Sequence, residues 1–202
     1  MKRKMCMNFV YAWIIGAVLH STVAQAQGAI RIDSTGNVDR RVAVAIPRAA
    51  AEPEMAGFAG EFAEVIAYDL TFSGLFRTLV DAEYPQTFRG LTRNAADIDF
   101  EAWRNSKAEY LVYAFLYKEG EMIVAESRLF DAYTGRQAVG LRLRGHEKFP
   151  RAVAHRFSEE IIRAVDGTPG IGTSEICFSA GRTGNKEIYM ADYDGANVVQ
   201  VT

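Results

Sequence analysis

Two histidines, His146 and His155, lie beyond the first 26 residues, nine positions apart across a strand-to-helix boundary. A catalytic or ligating histidine needs an orienting partner, and no cysteine or carboxylate spacing around either supplies one, so surface or helix-start positions are expected. Asp192-Tyr193-Asp194-Gly195 opens like a calcium loop, with carboxylates two residues apart followed by glycine. The bidentate glutamate such a loop needs at its twelfth position does not follow, and a hairpin turn is expected instead. The stretch from Gly167 to Gly172 is glycine-rich but lacks the Lys-Ser/Thr pair of a phosphate loop and follows a helix, which makes it a linker. Ser21, Ser73, Ser127 and Ser179 sit in no Gly-x-Ser-x-Gly elbow, and Glu159-Glu160 falls on the wet face of a helix. The expectation is a chain without catalytic, cofactor or metal residues.

The N-terminus reads as an export signal. Lys2-Arg3-Lys4 precedes an apolar run over residues 9–19 and the small-residue site Ala24-Gln25-Ala26, so a signal peptide of residues 1–26 is expected, cut after Ala26. A retained anchor is the competing reading, although a membrane-spanning helix would want about 20 apolar residues. Cleavage removes three basic residues and no acids, which moves the formal charge from −2 to −5. Nucleic acid is a poor partner for that balance, since phosphate binding requires a basic footprint. Cys177 is then the sole cysteine, which excludes an internal disulfide and a cysteine metal cluster, and its strand position predicts a buried apolar role.

The elements that would position any site follow from periodicity. Residues 42–46 form a strand ended by Pro47. Phe58, Phe62, Val65, Ile66 and Leu70 recur at helical intervals, with Glu61, Glu64 and Asp69 assigned to the wet side and Gly74 as the stop. Residues 75–80 read as a strand, residues 85–94 as a polar loop, and a short helix begins at a cap supplied by Asp97 or Asp99. Residues 110–117 are apolar at nearly every position, the pattern of a central strand covered on both faces. A meander follows over residues 122–130 and 137–144. In its last strand Val139, Leu141 and Leu143 alternate with Arg142 and Arg144, which places that strand towards an edge. A second long helix carries Phe149, Val153, Phe157, Ile161 and Val165, leaving Arg151, Arg156, Glu159 and Glu160 for solvent.

The last segment is the most specific. Residues 176–179, 187–191 and 198–201 are short strands separated by the turn formers Arg182-Thr183-Gly184-Asn185 and Asp194-Gly195-Ala196-Asn197. This is the pattern of an incomplete first blade of a β-propeller. Propellers need about 4–8 blades, so the chain is expected to be the front portion of a longer protein. The expected division is a signal peptide over 1–26, an α/β domain over 27–167, and a linker with the truncated blade over 168–202.

Residues 182–190, Asp192-Tyr193-Asp194-Gly195-Ala196-Asn197 and Gln200-Val201-Thr202, together with Ile30-Arg31-Ile32-Asp33, Gly36-Asn37-Val38 and Val44-Ala45-Ile46-Pro47, carry a resemblance that covers essentially all of the mature chain. The chain resembles the TolB family, the periplasmic component of the Tol-Pal system of Gram-negative bacteria. The resemblance implies an α/β module, a mixed sheet with two long helices in an anticodon-binding-like topology, followed by a propeller. It implies a non-catalytic adaptor in the periplasm that links inner-membrane TolA to the outer-membrane lipoprotein Pal during outer-membrane invagination at division. By position, the TolA-contacting arm would be Ile30, Arg31, Ile32, Asp33, Ser34, Thr35, Gly36 and Asn37, and Pal binding would belong to propeller blades beyond residue 202. The residues themselves leave two readings of the arm open: a fixed first strand, or an edge-capable segment that adds itself to a partner's sheet. A secreted propeller hydrolase, with its catalytic residues in further blades, is the alternative from another class.

Overall fold

Strand β4 (Tyr110–Glu119) sets the architecture, because a strand with no wet face must be covered on both sides. The computed structural model describes residues 41–181 and 184–202, which belong to one compact unit. The expected leader and first short strand lie outside the described residues. Around β4 a mixed sheet runs in the order β3-β1-β4-β5-β6, with β1 at Val42–Ala45, β3 at Phe76–Thr78, β5 at Met122–Asp131 and β6 at Gln137–His146. The two-residue β2 (Ala50–Ala51) also pairs with β4. β1 is parallel to β3 and β4, whereas β4, β5 and β6 form the antiparallel meander that the turns predict.

Register divides the core cleanly. Ala43, Ala45, Leu111, Tyr113 and Phe115 face one way, where Trp103, Leu79 and Phe130 pack with the loop aromatics Tyr84, Phe88 and Phe100. Tyr113 OH donates to the Arg93 carbonyl at 2.6 Å, pinning that loop to the sheet. Helix α2 (Phe100–Asn105) lies within this cover, and Asp99 settles the choice of cap by accepting from the Ala102 N–H at 3.0 Å.

The opposite face takes the long helices α1 (Phe58–Phe72) and α3 (Arg151–Asp166), packed side by side. Phe62, Ile66, Leu70, Val153, Phe157 and Ile161 are buried there as their spacing requires. The sheet makes room for α3 at Gly145, where a Cβ would sit 2.5 Å from Val153 Cγ2. Gly74, at φ +75°, ends the turn after α1 in the left-handed region that glycine tolerates.

A second, three-stranded antiparallel sheet follows, in the order β7 (Glu175–Ala180), β8 (Glu187–Asp192) and β9 (Val199–Gln200). Its second turn carries positive φ at Gly195 and Asn197, as the turn residues predict. Two apolar residues in this half of the chain depart from expectation. Cys177 is exposed, because β7 leaves most of its residues uncovered. Phe149 is 61% exposed, since Pro150 delays the helix until Arg151 and leaves Phe149 in the preceding turn.

Candidate functional site

The expected arm, Ile30 to Asn37, lies outside the described residues. What the structure brings together is a polar cluster where α1, α3 and the second sheet meet, and it includes Asp69 and Arg151, which periodicity assigns to water. Asp69 on α1 is 3% exposed, not wet. It stands four residues after Val65 and three after Ile66, so helical spacing put it on the buried face and only its residue type argued otherwise. Its carboxylate gathers three partners. Oδ2 lies 2.9 Å from His155 Nδ1 and accepts from Ser158 Oγ, while Oδ1 accepts from Tyr193 OH. A carboxylate only accepts, so Nδ1 carries the hydrogen in that contact.

His155 is likewise buried, where a surface or helix-start position was expected. α3 hides Val153, Phe157 and Ile161 and also Ala154, His155, Ser158 and Ile162, because it packs on the main sheet and on α1, while Tyr193 from the second sheet covers His155. Tyr193 enters this seam from the residue after β8. Its ring meets Phe72 and His155 edge to face at 5.5 and 5.7 Å, and Tyr68 at 6.0 Å. Gly172 lets the chain pass close by, since a Cβ there would meet Asp69 Oδ2 at 3.1 Å and the His155 carbonyl at 3.3 Å. The glycine-rich segment is thus tied down against the helices. Thr173 adds to this by donating its N–H and hydroxyl to Glu159 Oε1 at 2.9 and 2.8 Å.

Arg151, expected in solvent, spans the rim of the same cluster. Its Nη1 donates to Glu61 Oε1 at 2.8 Å and its Nη2 to Asp194 Oδ2. Burial raises the Asp194 carboxyl, but the Ala196 N–H and the Arg151 guanidinium outweigh it and hold the group below its ordinary value. Burial and the bond to Asp69 push the Tyr193 phenol up. The signs follow from linkage. Asp194 contributes stability above its unfolded pKa of about 3.9, lost as pH falls through the folded value; Tyr193 contributes below about pH 10, lost as pH rises. Urea unfolding between about pH 9 and 11 is therefore expected to show a smaller loss of stability for Tyr193→Phe than for the parent chain.

The ligand-type atoms of His155, Asp192 and Asp194 lie within 4.8 Å of one another, a grouping made by tertiary contact across some forty residues and invisible to local spacing. His146 stands apart, half-exposed beside Glu121 at 3.2 Å. No helix of the described residues is long and apolar enough to cross a membrane.

Residues 30–138 match the family model of the TolB amino-terminal domain. The chain belongs to the TolB amino-terminal domain family. Among curated relatives, the Tol-Pal system protein TolB of Syntrophotalea carbinolica is 31% identical over 195 residues, covering 96% of this chain and 45% of that protein. The TolB of Geobacter sulfurreducens is 32% identical over 186 residues, covering 92% and 41%. The chain thus spans less than half the length of these relatives. The crystal structure of TolB from Acinetobacter baumannii shares the fold, with a TM-score of 0.63 at 17% identity over 81% of this chain and 39% of that one. The TolB-family match ends inside β6, so the model covers Asp69 but neither His155 nor Tyr193.

Proposed function

We propose that the chain acts as a non-catalytic periplasmic adaptor of the Tol-Pal system. In this reading residues 1–26 direct export and are removed after Ala26, and the segment Ile30 to Asn37 binds the inner-membrane protein TolA. Residues 27–167 form the TolA-facing α/β domain, of anticodon-binding-like topology, and residues 168–202 begin a β-propeller whose further blades bind Pal. The adaptor is neither embedded in the membrane nor a nucleic-acid binder, and its work is outer-membrane constriction during division and envelope integrity.

The observation that carries the reading is alignment with proteins named for the Tol-Pal system over nearly the whole chain, at about one residue in three. Two further features support it. The family match begins at residue 30, the first residue of the proposed arm. The β7–β9 sheet leaves Ile176, Ile188 and Val199 exposed, as a blade that stacks against neighbours would. Co-purification with the C-terminal domain of TolA tests the proposal: retention of the tagged mature chain on immobilised TolA domain at physiological salt is expected, and absence of retention at micromolar concentrations of both proteins refutes it.

A further inference from the structure

We propose that His155, Asp192 and Asp194 bind one divalent transition-metal cation of the zinc class at the seam between α3 and the second sheet. His155 Nε2 is the decisive atom. It is buried on a side chain 3% exposed and has no hydrogen-bond partner. Nδ1–H is committed to Asp69, which leaves Nε2 as the ring nitrogen that faces Asp194 Oδ2, 3.6 Å away. A ring nitrogen and a carboxylate oxygen facing each other in a buried site need a cation between them, a proton or a metal ion, and at 3.6 Å no hydrogen bond is made. A histidine that gives its other N–H to a carboxylate is the arrangement that orients imidazole on a metal and raises its basicity.

Geometry and charge agree. Around a tetrahedral ion with bonds of ~2.0–2.2 Å, ligand atoms stand roughly 3.4 Å apart, close to the separation that Nε2 and Asp194 Oδ2 already have. Asp192 contributes from a half-buried position, where Asn197 Nδ2 holds its Oδ2 at 2.7 Å and leaves the other oxygen available. The Ala196 N–H likewise orients Asp194 at 3.0 Å. Three carboxylates, Asp69, Asp192 and Asp194, surround the imidazole, and Arg151 on the rim is itself shared with Glu61. Acids outnumber the one guanidinium around the site, and a divalent cation offsets that excess. Arg151 also repels the ion, which places the affinity below that of an all-acid site. A cavity of about 230 Å³ lined by His155, Asp192, Asn197 and Glu175 gives the ion a path and room for water in the fourth position. Imidazole in the set favours zinc, cobalt or nickel over calcium and magnesium, which prefer oxygen.

The test uses the mature chain after chelator treatment. Calorimetric titration with zinc chloride is expected to give one site per chain and a raised melting temperature, with calcium chloride giving neither. Asp192→Asn, at a half-buried position, is expected to fold and to weaken zinc at least tenfold, whereas His146→Gln leaves it unchanged. Cobalt binding by the parent chain, which needs no variant, is expected to show the strong visible absorption of a four-coordinate ion. Absence of a stoichiometric zinc site, zinc affinity unaltered in Asp192→Asn, a weak octahedral cobalt spectrum, or a doubly protonated His155 in zinc-loaded protein by nitrogen NMR overturns the proposal.

Discussion

Asp69→Ala is expected to destabilise the fold by about 3–5 kcal/mol, the range for removing one partner of a buried charged network. For a unit of this size that corresponds to a fall in melting temperature of about 6 °C or more, measurable by calorimetry. Three donors lose their shared acceptor at once: Ser158 Oγ, Tyr193 OH and His155 Nδ1, each in the seam that joins α1 to α3 and to the second sheet. The effect is specific to the buried carboxylate. Glu64, five residues earlier on the same helix and exposed, is expected to change stability by no more than about 0.5 kcal/mol on replacement by alanine. Equal melting temperatures for the two variants would contradict the assignment of Asp69 as the hub of the seam.

The framework of this molecule was readable because its signals are local. An eight-residue apolar run demanded a two-sided strand, and β4 is one; Gly74 demanded a left-handed stop, and its φ is +75°. The alternation of Leu141 and Leu143 with Arg142 and Arg144 placed β6 at an edge for the same reason. What escaped is long-range. Asp69 and His155 are 86 positions apart: residue type argues for water at Asp69 against a helical phase that covers it, whereas His155 lies off the apolar row of its helix and owes its burial to Asp69 and the second sheet. Arg151 was misplaced because its cover comes from Asp194, in a turn more than forty residues later. Cys177 erred the other way, since a strand of apolar residues predicts burial only when something packs on it. The unabsorbed signal was the linker itself. Gly172 is there to clear Asp69 and His155, a requirement that a glycine count cannot distinguish from flexibility.

The largest functional effect is expected from the N-terminal segment. Removing residues 28–34 deletes the alternating Ile30 and Ile32 and the main-chain groups that would add a strand to TolA, while leaving the described framework whole. β1 has both neighbours within that framework, β3 on one side and β4 on the other, so the main sheet closes around it without the arm. Loss of three or more main-chain hydrogen bonds, each worth ~0.5–1.5 kcal/mol net, together with the two isoleucines, weakens binding by at least about 100-fold. The decisive measurement is a calorimetric titration of the TolA C-terminal domain into the mature chain and into the chain lacking residues 28–34, with melting temperatures recorded in parallel. The adaptor account predicts that binding is lost and the melting temperature is retained; undiminished affinity in the truncated chain, or loss of its folding, would contradict it.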